Sequence, residues 1–356
     1  MFSSFLLVGL LTVPVRAASC SLAPYWAQIR YCAAVDWTAL GLRLVRDWEE
    51  IDPHQKTVLS DDWGVAFTTY WLARRLGYVS FCDGRYFIDR LVGLGLAWVE
   101  TPPGRRGTYK SPDFIFEDAD GKFHIVECKG TQDSPRALMS QLQRGRAQKR
   151  NVLFPAEDRQ VAQRLVAGLY IARGNAGARS MLAISDPSPE EHGSIVRISH
   201  SVDAAQLGDP LRRAELARAL QLAGAPAIAE ELIKAPASRD EIAERREKFW
   251  GALQEFRRLA HVVSEHQGGW WGRRQEVSFP EPVEISRMRY RSAVVSYGVK
   301  DHVLEHLQEY QPAAHTLPEQ FPAIEPQRSV WWFDERENSA TVVYGDQFRA
   351  EITLRE

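Results

Sequence analysis

The stretch SPDFIFEDADGKFHIVECKGT, residues 111–131, constrains the fold more than any other part of the chain. Two apolar runs, Asp113 to Glu117 and Lys122 to Lys129, are rich in Phe, Ile and Val, and Asp118-Ala119-Asp120-Gly121 between them is strong turn chemistry. The expectation is a β-hairpin. Side chains alternate across a strand, so Glu127 and Lys129 leave one face of the second strand and Cys128 leaves the other. A carboxylate and an ammonium therefore stand together, with Asp113 at the start of the partner strand.

A carboxylate from each strand can share a Mg²⁺, which takes hard oxygen ligands and keeps several waters. Such an ion activates water and shields a phosphodiester, while a neighbouring lysine orients the nucleophile or stabilises developing charge. Pro112-Asp113 and Glu127-Cys128-Lys129 resemble the two half-motifs of the PD-(D/E)xK nucleases, at a separation usual for that family. The resemblance implies an α/β, restriction-endonuclease-like core, a mixed sheet flanked by helices in the order helix, three strands, helix, strand. It also implies that Asp113 and Glu127 bind Mg²⁺ or Mn²⁺ with help from the main-chain carbonyl of Cys128. Lys129 then completes the catalytic set.

Flanking segments extend the resemblance over roughly residues 58–189. SDDWGVAFTTYWLARRLG reads as a helix capped by Ser60 and stopped by Gly77. Asp62, Ala66, Thr69 and Ala73 fall along one face of it, which makes Asp62 the candidate for the acid that the family's first helix supplies, with Asp61 in reserve. Both acids also complement a helix N-terminus. Pro135 to Asn151 is polar, basic and helix-compatible, and Gln141, Gln148 and Lys149 compete for the glutamine or lysine that the family's second helix turns toward the metal; Gln148 stands as the site candidate. Gly145 weakens an unbroken helix there but permits close approach of another backbone. Val166 to Ile171 and Ser180 to Ser185 read as further strands. Residues 79–110 read as an insertion, with Tyr86 to Leu94 helical, Leu96 to Glu100 a strand, and Thr101 to Lys110 either a phosphate-contacting loop or an ordinary exposed one.

The rest of the chain divides by composition. Residues 1–57 read as an N-terminal helical segment, 58–200 as the nuclease domain, 201–266 as a helical connector or partner surface, and 267–356 as a small C-terminal α+β domain. In the connector, Asp209-Pro210 is expected to open a helix stopped by Gly224, and a Ser238/Glu241 capping box to open another running to about Val263. In the last domain Met288 to Gly298 and Trp331 to Phe333 read as strands, Val303 to Tyr310 as helical, and Val342 to Leu354 as a hairpin about Gly345-Asp346. Trp270 and Trp271 with Arg273 and Arg274 form either a base-stacking cluster or a core edge with surface arginines.

With 356 residues, 45% of them hydrophobic, the chain is long enough for two or more cores. Its formal net charge of -2 gives no global attraction to nucleic acid, so contact with DNA must come from local basic surface. The four cysteines show no CxxC spacing, which excludes the common zinc patterns and favours a reducing cytoplasm. Phe2 to Val15 is nearly all apolar and Ala17-Ala18-Ser19-Cys20 resembles a cleavage site, but no Lys or Arg precedes the run, and it is too short to span a bilayer. A packed terminal segment or a start placed too far upstream explains it as well. The expected activity is a metal-dependent DNA endonuclease, with restriction or defence against phage as its setting by analogy alone. The alternative is a nuclease fold that binds or assembles on nucleic acid without cutting, against which the intact Asp113, Glu127 and Lys129 stand. An exported envelope protein carrying the motif by accident is a third reading.

Overall fold

The computed structural model describes residues 34–38, 41–100, 111–145, 152–155, 160–174, 176–185, 195–264, 269–285, 288–313, 331–336, 338–344 and 347–356. The apolar segment at residues 1–33, the loop 101–110, Gln148, Lys149 and the turn Gly345-Asp346 lie outside them.

Where residues 34–51 were expected to be helical, β1 (Val35–Thr38) and β2 (Gly41–Leu44) form an antiparallel pair. Leu42 and Leu44 are buried on this pair, and Gly41 has a φ of 96°, which a helix does not accommodate. Next comes α1 (Pro53–Leu76), which starts earlier than the sequence implied. Asp52 accepts from the His54 amide at 2.8 Å and Pro53 takes the first helical position, where its missing N–H is harmless. Ser60 lies inside the helix, its hydroxyl donating to the Lys56 carbonyl at 2.7 Å. Gly77, at φ 62°, stops the helix as expected.

β3 (Tyr78–Asp83), α2 (Gly84–Gly93) and β4 (Ala97–Glu100) follow, then β5 (Phe114–Asp118), β6 (Phe123–Thr131) and α3 (Pro135–Gly145). β7 (Val152–Leu153), β8 (Val161–Tyr170), β9 (Ala172–Arg173), β10 (Met181–Ser185) and β11 (Ile195–Ile198) complete this half. The central sheet has the order β10-β8-β6-β5-β3. β3, β5 and β6 are antiparallel, and β6 then pairs in parallel with β8 through the α3 crossover that such a pair requires. β3 therefore belongs to the sheet, although its residues fall in the stretch read as an insertion. Its run YVSFCD is short and follows directly on the helix stop, so alternation alone does not distinguish it.

The two faces of this sheet are covered differently. Leu138 and Leu142 of α3 pack on Val166 and Tyr170 of β8, on the face shared by Glu127. α1 packs on the opposite face, where Thr68 lies beside the buried Cys128 side chain. Two small sheets, β1-β2-β9 and β4-β11-β7, border this core.

α4 (Ala204–Ala223) opens with a capping box in which Gln206 N donates to Asp203 at 2.8 Å and Asp203 N donates to the Gln206 side chain at 3.1 Å. Asp209 is therefore not its cap, and Pro210 sits inside the helix. Asp209 is instead fully buried between Arg90 at 3.0 Å and Arg213 at 2.8 Å, a pairing that a buried carboxylate needs. After α5 (Pro226–Ile233), Glu241 accepts from the Ser238 amide at 2.9 Å and its hydroxyl at 2.6 Å, and α6 (Ile242–Leu259) begins. It ends short of Val263 because Ala260 turns extended into β12 (His261–Ser264). Phe249, Leu253 and Phe256 are the buried part of its stripe, while Leu259 is 52% exposed.

β13 (Trp270–Ile285), β14 (Met288–Lys300), β15 (Trp331–Glu335), β16 (Ser339–Tyr344) and β17 (Phe348–Arg355) join β12 in an antiparallel sheet ordered β12-β13-β14-β17-β16-β15, with α7 (Asp301–His306) after β14. Tyr344 pairs with Phe348, the register the expected hairpin requires. α4 lies between the two large sheets, touching β3 on one side and β14 on the other. Glu215 of α4 accepts from the Phe81 amide at 2.5 Å and from the Tyr344 hydroxyl, which also meets the Val79 carbonyl. Among the described residues no helix is long and apolar enough to cross a membrane.

Candidate metal centre

Phe114 of β5 pairs with Val126 of β6, so Asp113 and Glu127, one step further along each strand, meet on the same face. Asp113 Oδ2 accepts from the Cys128 amide at 2.7 Å, which fixes its carboxyl across the hairpin. Lys129 Nζ donates to Glu127 Oε1. Glu127 is 0% exposed, and its Oε2 is buried with no hydrogen-bond partner. Thus the three residues expected from sequence converge on one spot.

Glycines set the surrounding backbone. A Cβ on Gly84 would lie 2.3 Å from the Pro112 carbonyl oxygen, and its amide donates to the Asp113 carbonyl at 3.0 Å. α1 approaches still more closely, since a Cβ on Gly130 would lie 1.7 Å from the Ser60 oxygen and one on Gly64 would lie 2.4 Å from the Lys129 oxygen. Gly145, at the end of α3, packs on β6 and β8, its missing Cβ 2.8 Å from Val166 Cγ1 and 3.2 Å from Glu127 Cγ. The close approach at Gly145, expected toward another backbone, is made instead to the side chains of Val166, Glu127 and Lys129.

The contact through Ser60 and Gly64 orients the start of α1. It turns Asp61 to the site: Asp61 lines the same cleft as Lys129 and interacts electrostatically with Lys129 and Asp113. Neither Asp62, the preferred candidate, nor the buried Asp113 and Glu127 line that cleft, but Asp61 is the acid of the helix that acts on Lys129 and Asp113. On α3, Gln141 lines the cleft, and its Oε1 is buried without a hydrogen-bond partner. Asp83, at the end of β3, was missed by sequence reasoning; its charge acts on Asp113, and Arg218 of α4 holds it at 2.5 Å. An Asp-Gly closing an apolar run was the available signal.

The electrostatics follow from burial. Burial, reinforced by the charge of Asp113, pushes the Glu127 pKa up to about 8, while Lys129 pulls against both. Burial also raises Asp113, opposed by Lys129 and by the Cys128 amide. Asp61 is raised by burial and by Asp113, again against Lys129. For Lys129 itself burial favours the neutral amine, but the carboxylates of Glu127 and Asp113 outweigh it and the pKa rises. The lysine is a fixed cation.

These groups suit a hard divalent cation. Glu127 Oε2 offers a carboxylate oxygen with no hydrogen-bond partner, and Lys129 faces the acids Asp113, Glu127 and Asp61. Among the described residues no three His, Cys, Asp or Glu side chains form a ready ligand group. An ion would have the Asp113 and Glu127 carboxylates and water to rest on, as Mg²⁺ sites commonly do, and the Cys128 carbonyl is the further ligand that the family resemblance implies. Comparison of the chain with protein-family models, curated proteins and solved structures finds no match.

Proposed function

We propose that the chain is a metal-dependent nuclease of the PD-(D/E)xK kind, hydrolysing phosphodiester bonds in DNA. The observation that carries this reading is the pairing of Asp113 with a buried Glu127 that has an unsatisfied oxygen, directly beside the cationic Lys129. The succession α1, β3, β5, β6, α3, β8 supports it, being helix, three antiparallel strands, helix and parallel strand.

Asp113, Glu127 and the Cys128 carbonyl would hold Mg²⁺ or Mn²⁺. When bound, such an ion stabilises charge on the phosphate and lowers the pKa of water. Lys129 keeps its proton, so its part is to donate hydrogen bonds to the attacking water or to a phosphate oxygen, not to act as general base. Asp61 adds negative charge at the rim and steadies Lys129. A 5′-phosphate product is expected from the family, and restriction or phage defence is the setting that analogy favours. The buried free thiols of Cys82 and Cys128 fit a cytoplasmic location.

The test is incubation with linear, supercoiled and single-stranded DNA and with RNA, in Mg²⁺, Mn²⁺ or EDTA. Cutting of DNA in either metal and none in EDTA is the expected result. Cutting that is undiminished in EDTA would remove the proposal.

A further inference from the structure

Beside Lys129 runs a cleft of about 590 Å³. The first turns of α1 form one wall, the strand end from Lys129 to Asp133 the floor, and Gln141 and Arg144 of α3 with Arg173 of β9 the other wall. Its cations are Lys56, Lys129, Arg144 and Arg173, and its acids Asp61 and Asp133. Lys56 and Asp61 come from α1, Lys129 from β6 with Asp133 just beyond it, Arg144 from α3 and Arg173 from β9, so the cations reach the cleft from four separate elements. Among the described residues no aromatic side chain lines the cleft, so they give it no platform on which bases could stack. Gln132 is 5% exposed, and its Oε1, like that of Gln141, is a buried acceptor with no hydrogen-bond partner. Such acceptors suit amino or hydroxyl donors on an incoming molecule.

We propose that this cleft is the channel for a single strand of nucleic acid, gripped through its phosphates by Lys56, Arg144 and Arg173 and held without base specificity. The inference rests on the nuclease reading for the identity of the reaction at its Lys129 end. Phosphate contacts fix the register of a strand without reading sequence, and Lys56, Arg144 and Arg173 supply them. The cleft volume falls in the range of roughly 300–1,000 Å³ that encloses a small ligand. A short piece of single strand fits that space. Two paired strands need more room than one, so the size of the cleft favours a single strand over a duplex.

The experiment is fluorescence anisotropy of the full chain with a labelled single-stranded oligonucleotide and with a duplex of the same sequence, in EDTA and over a salt series. Lys56→Ala, Arg144→Ala and Arg173→Ala are compared with wild type and with Arg246→Ala on α6. Each cleft variant should weaken single-strand binding about three- to tenfold and lower the slope of log affinity against log salt by about 0.7, with Arg246→Ala unchanged. Unchanged single-strand affinity in all three cleft variants overturns the channel, as does a wild type that binds duplex more tightly than single strand. Two outcomes separate this inference from the nuclease reading. Losses in the cleft variants of a protein that never cuts would leave the channel standing and remove the nuclease. Metal-dependent cutting with undiminished strand affinity in all three variants would do the reverse.

Discussion

Glu127 shows how the site trades stability for chemistry. Burial, reinforced by the charge of Asp113, pushes its carboxyl up to about 8 in the folded chain, against about 4.3 when unfolded. Between those values the folded chain holds a proton that the unfolded chain has lost, so stability from this group falls as pH rises through the window. Metal-free Glu127→Gln should therefore exceed wild type in urea unfolding at pH 8.5 by about 1–3 kcal/mol, with the gap closing toward pH 5. A gap that widens toward pH 5 would contradict the assignment. Binding of an ion requires the ionised carboxylate, so Mn²⁺ affinity measured by calorimetry should rise up to about tenfold per pH unit below 8 and then level. Asp61→Asn should slow cleavage about 10–100-fold and Asp62→Asn should leave it near wild type, as steady-state rates would show. Asp113, Glu127 and Lys129 were legible because hairpin and motif are local. The choice between Asp61 and Asp62 was not, since neighbours on a helix differ by about 100° and the deciding contact at Gly130 is distant in sequence.

At the level of elements, the site depends on backbone touching backbone. α1 reaches β6 only because Gly64 and Gly130 leave no side chain between them, so Gly130→Ala must displace the helix or the strand. The expected loss is about 1–3 kcal/mol in thermal or urea unfolding, together with reduced cleavage as Lys129 moves. Full stability in that variant would mean that α1 does not sit on the strand as described. Element ends were read from sequence with uneven success for a related reason. Gly77 and Gly224 stop helices through their own left-handed backbone, which the residue type announces. Ser60 and Asp209 are equally good caps by type, but Asp52 and Asp203 lie upstream and start the helices first. β3 was hidden because a short apolar run gains its identity as a strand only from pairing with β5.

Across the whole molecule, α4 joins what composition divided into a connector and two domains. Leu207 to Ala223 is almost entirely buried, Glu215 bonds both Phe81 and Tyr344, and Arg218 reaches Asp83. A helix buried all round has no exposed polar face to mark it, and its Arg213, Glu215 and Arg218 look like surface residues until their partners are in place. Calorimetry should accordingly show one unfolding transition for the full chain, and a chain ending at residue 266 should fail to fold in soluble form. Two well-separated transitions would contradict the shared core. The most direct measurement of the central claim is the initial rate of cleavage of single-stranded and plasmid DNA in Mn²⁺ by wild type, Glu127→Ala and Lys129→Ala, with circular dichroism confirming that each is folded. Losses of about 10²–10⁴-fold in both folded variants are predicted. Metal-dependent cutting at the wild-type rate in both would place the chemistry elsewhere in the chain.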